Sequence, residues 1–209
     1  MTVSHPLKAG RSATLLFVVL AAGWLAFGQV AAAQGTADVR FPALTGRVVD
    51  QANLLTPAKE AELTTRLEAL ERDTTDQLVV VTVASLQGLE IEDYGYRLGR
   101  SWGIGQEANS NGALLIVAPE ERKERIEVGY GLEPVLTDGF SALIIHNEIL
   151  PAFRDGQFER GIEAGVVAID TQLRLDPAEA QARAAAAAAA KPKAGVPVGP
   201  LIMIGRCSS

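Results

Sequence analysis

Gln77-Leu78-Val79-Val80-Val81-Thr82-Val83 is a β-branched, apolar run bounded by polar residues. Its apolarity is continuous rather than alternating, so both faces must be covered, as in a strand inside a sheet with helices above and below. Downstream, Glu90 to Trp102 sets Ile91, Tyr94 and Leu98 on one side at helical spacing. Asn109-Ser110-Asn111-Gly112 is a turn cluster, and Ala113-Leu114-Leu115-Ile116-Val117 is a second doubly covered strand. Strand, helix and strand in this order predict a βαβ unit with a right-handed crossover.

The same reading extends in both directions. Thr56-Pro57 opens a helix, with the threonine as N-cap and the proline where a missing N–H costs nothing. Leu63, Leu67 and Leu70 share its apolar face, while Glu62 with Arg66 and Glu68 with Arg72 are spaced to pair towards solvent. Before it, Gly46 to Asp50 reads as a brief strand ending in a carboxylate. Beyond Val117, Pro119 to Glu124 has hairpin length, and Arg125 to Tyr130 alternates polar with apolar, as an antiparallel edge strand would. That alternation stops at Gly129-Tyr130-Gly131-Leu132-Glu133-Pro134-Val135-Leu136-Thr137-Asp138. Two glycines there imply a sharp bend or a close backbone approach, and Thr137-Asp138 caps a helix running to Leu150. A last helix follows from Gln157 to Leu173, with Phe158, Ile162, Val166, Ile169 and Leu173 at helical spacing. The predicted fold class is α/β: a three-layer α/β/α sandwich with a mixed, mostly parallel sheet of about four strands, one βαβ unit and an antiparallel edge hairpin.

The chain ends have a different character. Lys8 and Arg11 precede the apolar run Ala13 to Phe27, and Ala31-Ala32-Ala33 supplies small residues, so residues 1–33 read as a cleaved secretory signal, with an uncleaved anchor as the rival. Residues 34–40 are then a short linker, 41–175 the domain, and 176–209 an Ala/Pro-rich tail. The tail's alanines offer no face worth burying, and it reads as a stalk or the remnant of a membrane anchor. The expected location is periplasmic or the outer face of the cytoplasmic membrane.

Composition excludes several chemistries. Cys207 is the only cysteine, which rules out an internal disulfide. A net charge of −6 without a basic stripe argues against nucleic acid. Beyond residue 33 the only histidine is His146, within an apolar helix and read as a packing residue. There is no Gly-x-Ser-x-Gly elbow and no Walker loop. Gly103 to Ala108 matches a dinucleotide pattern, but it follows a helix and precedes a strand, the reverse of what nucleotide binding requires. What remains is oxygen chemistry at strand ends: Asp50, Asn111, Glu133 and Asp138, expected to meet at one rim and to suit calcium.

Val49-Asp50 with Leu54-Leu55, the Gln77 to Val83 run, Trp102-Gly103-Ile104-Gly105, Asn111-Gly112-Ala113-Leu114-Leu115, and above all Gly129-Tyr130-Gly131-Leu132-Glu133 followed by Leu136-Thr137-Asp138 resemble the TPM domain family. The likeness covers about Phe41 to Leu173. It implies an α/β/α domain, commonly exported and often tethered to a membrane. Its relatives include a thylakoid lumen protein of photosystem II repair with acid phosphatase activity and calcium binding, and an accessory protein of a nematode acetylcholine receptor. On this resemblance the family's acidic positions fall at Asp50, Glu133 and Asp138. Ser110 stands where relatives often carry an aspartate before Asn-Gly, which weakens any cation site. The expected partners are envelope or membrane proteins, bound by a monomer, with a metal-assisted acid phosphatase as the alternative activity.

Overall fold

The doubly covered run becomes the second of four strands. The computed structural model describes residues 39–189. The leader assigned to residues 1–33, the apolar tract Val196 to Ile204 and Cys207 lie outside the described residues. The order is β1 (Val48–Asp50), α1 (Pro57–Thr74), β2 (Gln77–Thr82), α2 (Ile91–Trp102), β3 (Gly112–Ala118) and β4 (Lys123–Val128). The sheet runs β1-β2-β3-β4; the first three strands are parallel, and β4 is antiparallel to β3. The mixed sheet and its edge hairpin are as the sequence predicts. The sequence predicts one βαβ unit, but β1-α1-β2 makes a second, because the brief strand before α1 pairs parallel with β2.

The two sheet faces are covered by different helices. Val48, Val80, Leu115 and Ile126 join Leu63, Leu67 and Leu70 of α1 in the main core. On the other face α2 lies so close that a Cβ added at Gly95 would come within 2.7 Å of Ile116 Cδ1. The strands advance across the sheet in one direction while α1 and α2 cover opposite faces. The two crossovers therefore have opposite hands, and one of them departs from the right-handed preference.

After β4 come α3 (Asp138–Ile144), a π turn (Ile145–Ile149), α4 (Leu150–Arg154), α5 (Phe158–Leu173) and α6 (Pro177–Ala189). The helix opened by Thr137 thus continues past Leu150, where the sequence reading ended it. Pro151 has no N–H and would crowd the preceding turn of a regular α-helix. The π turn adds a residue there, with the Leu150 N–H donating to Ile145 O. The altered turn presents Ile149 to the core and leaves His146 exposed, so His146 is not the packing residue expected.

Two further expectations give way to packing between helices. Arg66 binds Asp170 of α5 at 2.9 Å rather than Glu62, while Glu62 takes Lys59 and Arg72 lies near Asp73. Asp170 is nearly buried and also accepts from Arg174, so the partner across the helix interface wins over the solvent-side one. The alanine-rich run read as a stalk folds as α6 as far as Ala189 and buries Ala180 and Ala184. Small side chains let it lie against α3, with Ala188 Cα 3.7 Å from the Cβ position of Gly139.

Candidate functional site

The parallel strands define two rims. At the amino end of β2 and β3, three loops are tied together. The Gly105 N–H donates to Gln77 Oε1 (2.6 Å), and the Gln106 N–H to Asn111 Oδ1 (2.9 Å). Asn111 Nδ2 donates to Thr75 O (2.7 Å) and more weakly to Asp76 Oδ1. Burial pushes the Asp76 carboxyl above its ordinary pKa, and this hydrogen bond offsets part of that rise. Because β4 is antiparallel, the chain leaving it returns to this same rim. There Gly129 donates its N–H to Gly112 O (2.8 Å) and Gly131 donates to Ser110 O (3.1 Å).

Neither Gly129 nor Gly131 has a left-handed φ. They are glycines because a Cβ at either position would collide with the backbone carbonyl of Ser110 or Asn109. Of the two possibilities read from sequence, close approach is the one realised. Between them stands Tyr130, 82% exposed, on a backbone held from both sides. Glu133 and Asp138, further along the same segment, are exposed, with no hydrogen bond or ion pair among the described residues. Thr137 caps α3 by accepting from the Phe140 N–H, so Asp138 sits in the first turn, where the helix dipole favours its charge.

Asp50 lies at the other rim. It pairs in register with Thr82, which pairs with Val117, whereas Val128 pairs with Ala113 at the start of β3. Four residues of strand, about 13 Å, separate the two rows. Asp50 Oδ2 accepts from the Leu55 N–H (2.8 Å), and Oδ1 accepts from the Leu54 N–H (3.1 Å) and the Thr82 hydroxyl. Thr82 Oγ1 in turn accepts from the Ala52 N–H (2.9 Å). The Asp50 carboxylate is thus committed to closing the β1–α1 loop.

The single rim expected from sequence is therefore two, since residues following a parallel strand and residues following the antiparallel one emerge at opposite ends. Asn111, Glu133 and Asp138 share one rim, and Asp50 is alone of the four at the other. Asn111 is 6% exposed, with its amide engaged on both sides. Among the described residues no group of three or more His, Cys, Asp or Glu side chains is arranged to hold a metal ion. Sequence reasoning missed Tyr130 as a surface feature. The signal was available: an aromatic between two glycines at the end of an alternating strand has no packed neighbours on either side in the chain.

Three parallel strands, an antiparallel edge strand and a glycine-braced loop carrying an exposed aromatic define a small α/β module. The TPM domain model matches residues 48–172, more than half of the chain, and this chain belongs to that family. It is similar to the N-terminal domain of a protein from P. gingivalis, with 40% identity and a TM-score of 0.58, over 62% of this chain and 82% of that one. The fold is also that of the N-terminal domain of the cg2496 protein from Corynebacterium glutamicum, at 15% identity and a TM-score of 0.50, over 66% and 88% of the two chains. No curated protein matches. Among the described residues no helix is long and apolar enough to cross a membrane.

Proposed function

We propose that this chain is an exported accessory protein that acts through protein contacts at the cell envelope, with Tyr130 at the centre of the contact. The observation carrying this reading is the exposure of Tyr130 on a loop whose backbone is fixed at Gly129 and Gly131. A rigid, projecting aromatic loses little entropy on binding, and tyrosines of this kind are enriched at the energetic centres of interfaces. Glu133 and Asp138 supply an unpaired acidic border, which suits a partner with basic residues beside an apolar pocket. The leader-like residues 1–33 support export, and a monomer is the expected state. A weak calcium site in this reading draws on Glu133 and Asp138 and not on Asp50.

The full chain, immobilised, is expected to retain an envelope protein from detergent-solubilised envelopes. Tyr130→Ala is expected to lose that partner while unfolding at the same temperature. Recovery of no envelope protein above background overturns the reading. Phosphoester hydrolysis rests on the resemblance alone once Asp50 and Asp138 lack a common centre.

A further inference from the structure

The rim opposite Tyr130 holds a cavity of about 450 Å³ between the β3–β4 hairpin and the α4–α5 corner. That volume is within the range of small-molecule sites, and the carboxyl ends of parallel strands are where open α/β sheets take ligands. Val117, Leu150, Phe153 and Phe158 make it apolar, with the two phenylalanine rings 5.0 Å apart. Three charged residues that line it, the exposed Arg122 and Arg154 and the half-buried Glu124, have no side-chain ion pair or hydrogen bond among the described residues. Lys123, also at the cavity, is occupied by Glu90.

The placement of these charges is built into the fold. Glu124 pairs in register with Val117, so both side chains stand on the same face of the sheet, in one row with Thr82 and Asp50. Burial without a partner pushes the Glu124 carboxyl above its ordinary pKa. The tight turn after β3 holds Arg122 at φ 53°, a conformation that residues with long side chains seldom adopt, and Arg122 donates its N–H to Pro119 O (3.2 Å). Arg154 ends α4 just before the α4–α5 turn.

An anion would answer Arg122 and Arg154, a cation would answer Glu124, and an apolar body would fill the space between. We infer that this cavity binds a free α-amino acid with a large apolar side chain, its carboxylate held by Arg122 and Arg154 and its ammonium by Glu124. A peptide end offers only one of the two charges and meets half of the site. The inference is independent of the Tyr130 contact, which lies at the other rim.

Calorimetry and methyl NMR on the full chain decide it, with three probes: L-phenylalanine, 3-phenylpropionate, which lacks the ammonium, and 2-phenylethylamine, which lacks the carboxylate. L-Phenylalanine is expected to bind and to shift the Val117 and Leu150 methyls, with each of the other two weaker by about tenfold or more, the worth of one charge-assisted hydrogen bond. Glu124→Gln is expected to erase the preference for L-phenylalanine over 3-phenylpropionate, and Arg122→Gln with Arg154→Gln the preference over 2-phenylethylamine. Tyr130→Ala should leave all three titrations unchanged. No shift with L-phenylalanine, or equal binding of all three probes, overturns the inference.

Discussion

Asp50 and Asp138 look alike in the sequence, each an acidic residue where a strand or loop gives way to a helix, yet their surroundings differ. Asp50 accepts from two backbone N–H groups and one hydroxyl, whereas Asp138 is exposed and acts only through the dipole of α3. Removing the Asp50 carboxylate leaves partly buried donors without acceptors, so Asp50→Ala is expected to cost about 2–3 kcal/mol in urea unfolding. Asp138→Ala is expected to lower stability by no more than about 1 kcal/mol, as removal of an exposed helix-dipole charge does. Equal losses for the two would contradict the roles assigned to them.

Elements with a strong local signature were legible in the sequence. Thr56 and Thr137 cap α1 and α3 through their hydroxyls, as their neighbours Pro57 and Asp138 implied. The continuous apolar runs became the two inner strands. By contrast, α6 could not be read as a packed element, because a run of alanines has no contrast between faces, and its contact depends on the bare surface of Gly139. The π turn was equally hidden, since Pro151 marks where a regular helix fails but not how the chain continues. For α6 the expected outcome is specific. Ala184→Leu should destabilise by about 1–3 kcal/mol through overpacking, while the same change at the exposed Ala185 should stay within about 0.5 kcal/mol. Chemical unfolding of both variants checks whether α6 is docked in solution.

Across the whole molecule, the antiparallel β4 was legible in the sequence, but its consequence, that the loop beyond it returns to the rim opposite Asp50, stands out only once the strands are set in register. The acidic residues at strand ends look equivalent in a linear reading, and only the reversal at β4 separates Asp50 from Glu133 and Asp138. The same arrangement sets the response to pH. Glu124 and Asp76 are raised by burial. A carboxyl raised in the folded state keeps its proton where the unfolded chain has lost it, so these two contributions weaken stability as pH rises through that window. Glu159 and Asp73 act in the opposite sense. The Thr56 N–H holds Glu159 low and the Arg174 guanidinium holds Asp73 low, so their support is lost as pH falls through their depressed values. Glu124→Gln is therefore expected to melt above the parent chain at about pH 8, with the gap closing as the pH falls below the ordinary glutamate value of about 4.3. A gap that widens on the acid side would reverse the sign assigned to Glu124.

The rim around Tyr130 is built backbone against backbone, Gly105 on Gly112, Gly129 on Ser110 and Gly131 on Asn109. Scaffolding of this kind separates what can vary from what cannot. Position 130 itself can be randomised without disturbing the platform beneath it, whereas any side chain at 129 or 131 forces the loops apart. If the proposed contact holds, a library restricted to that one codon would retune which surfaces are recognised while leaving the architecture intact.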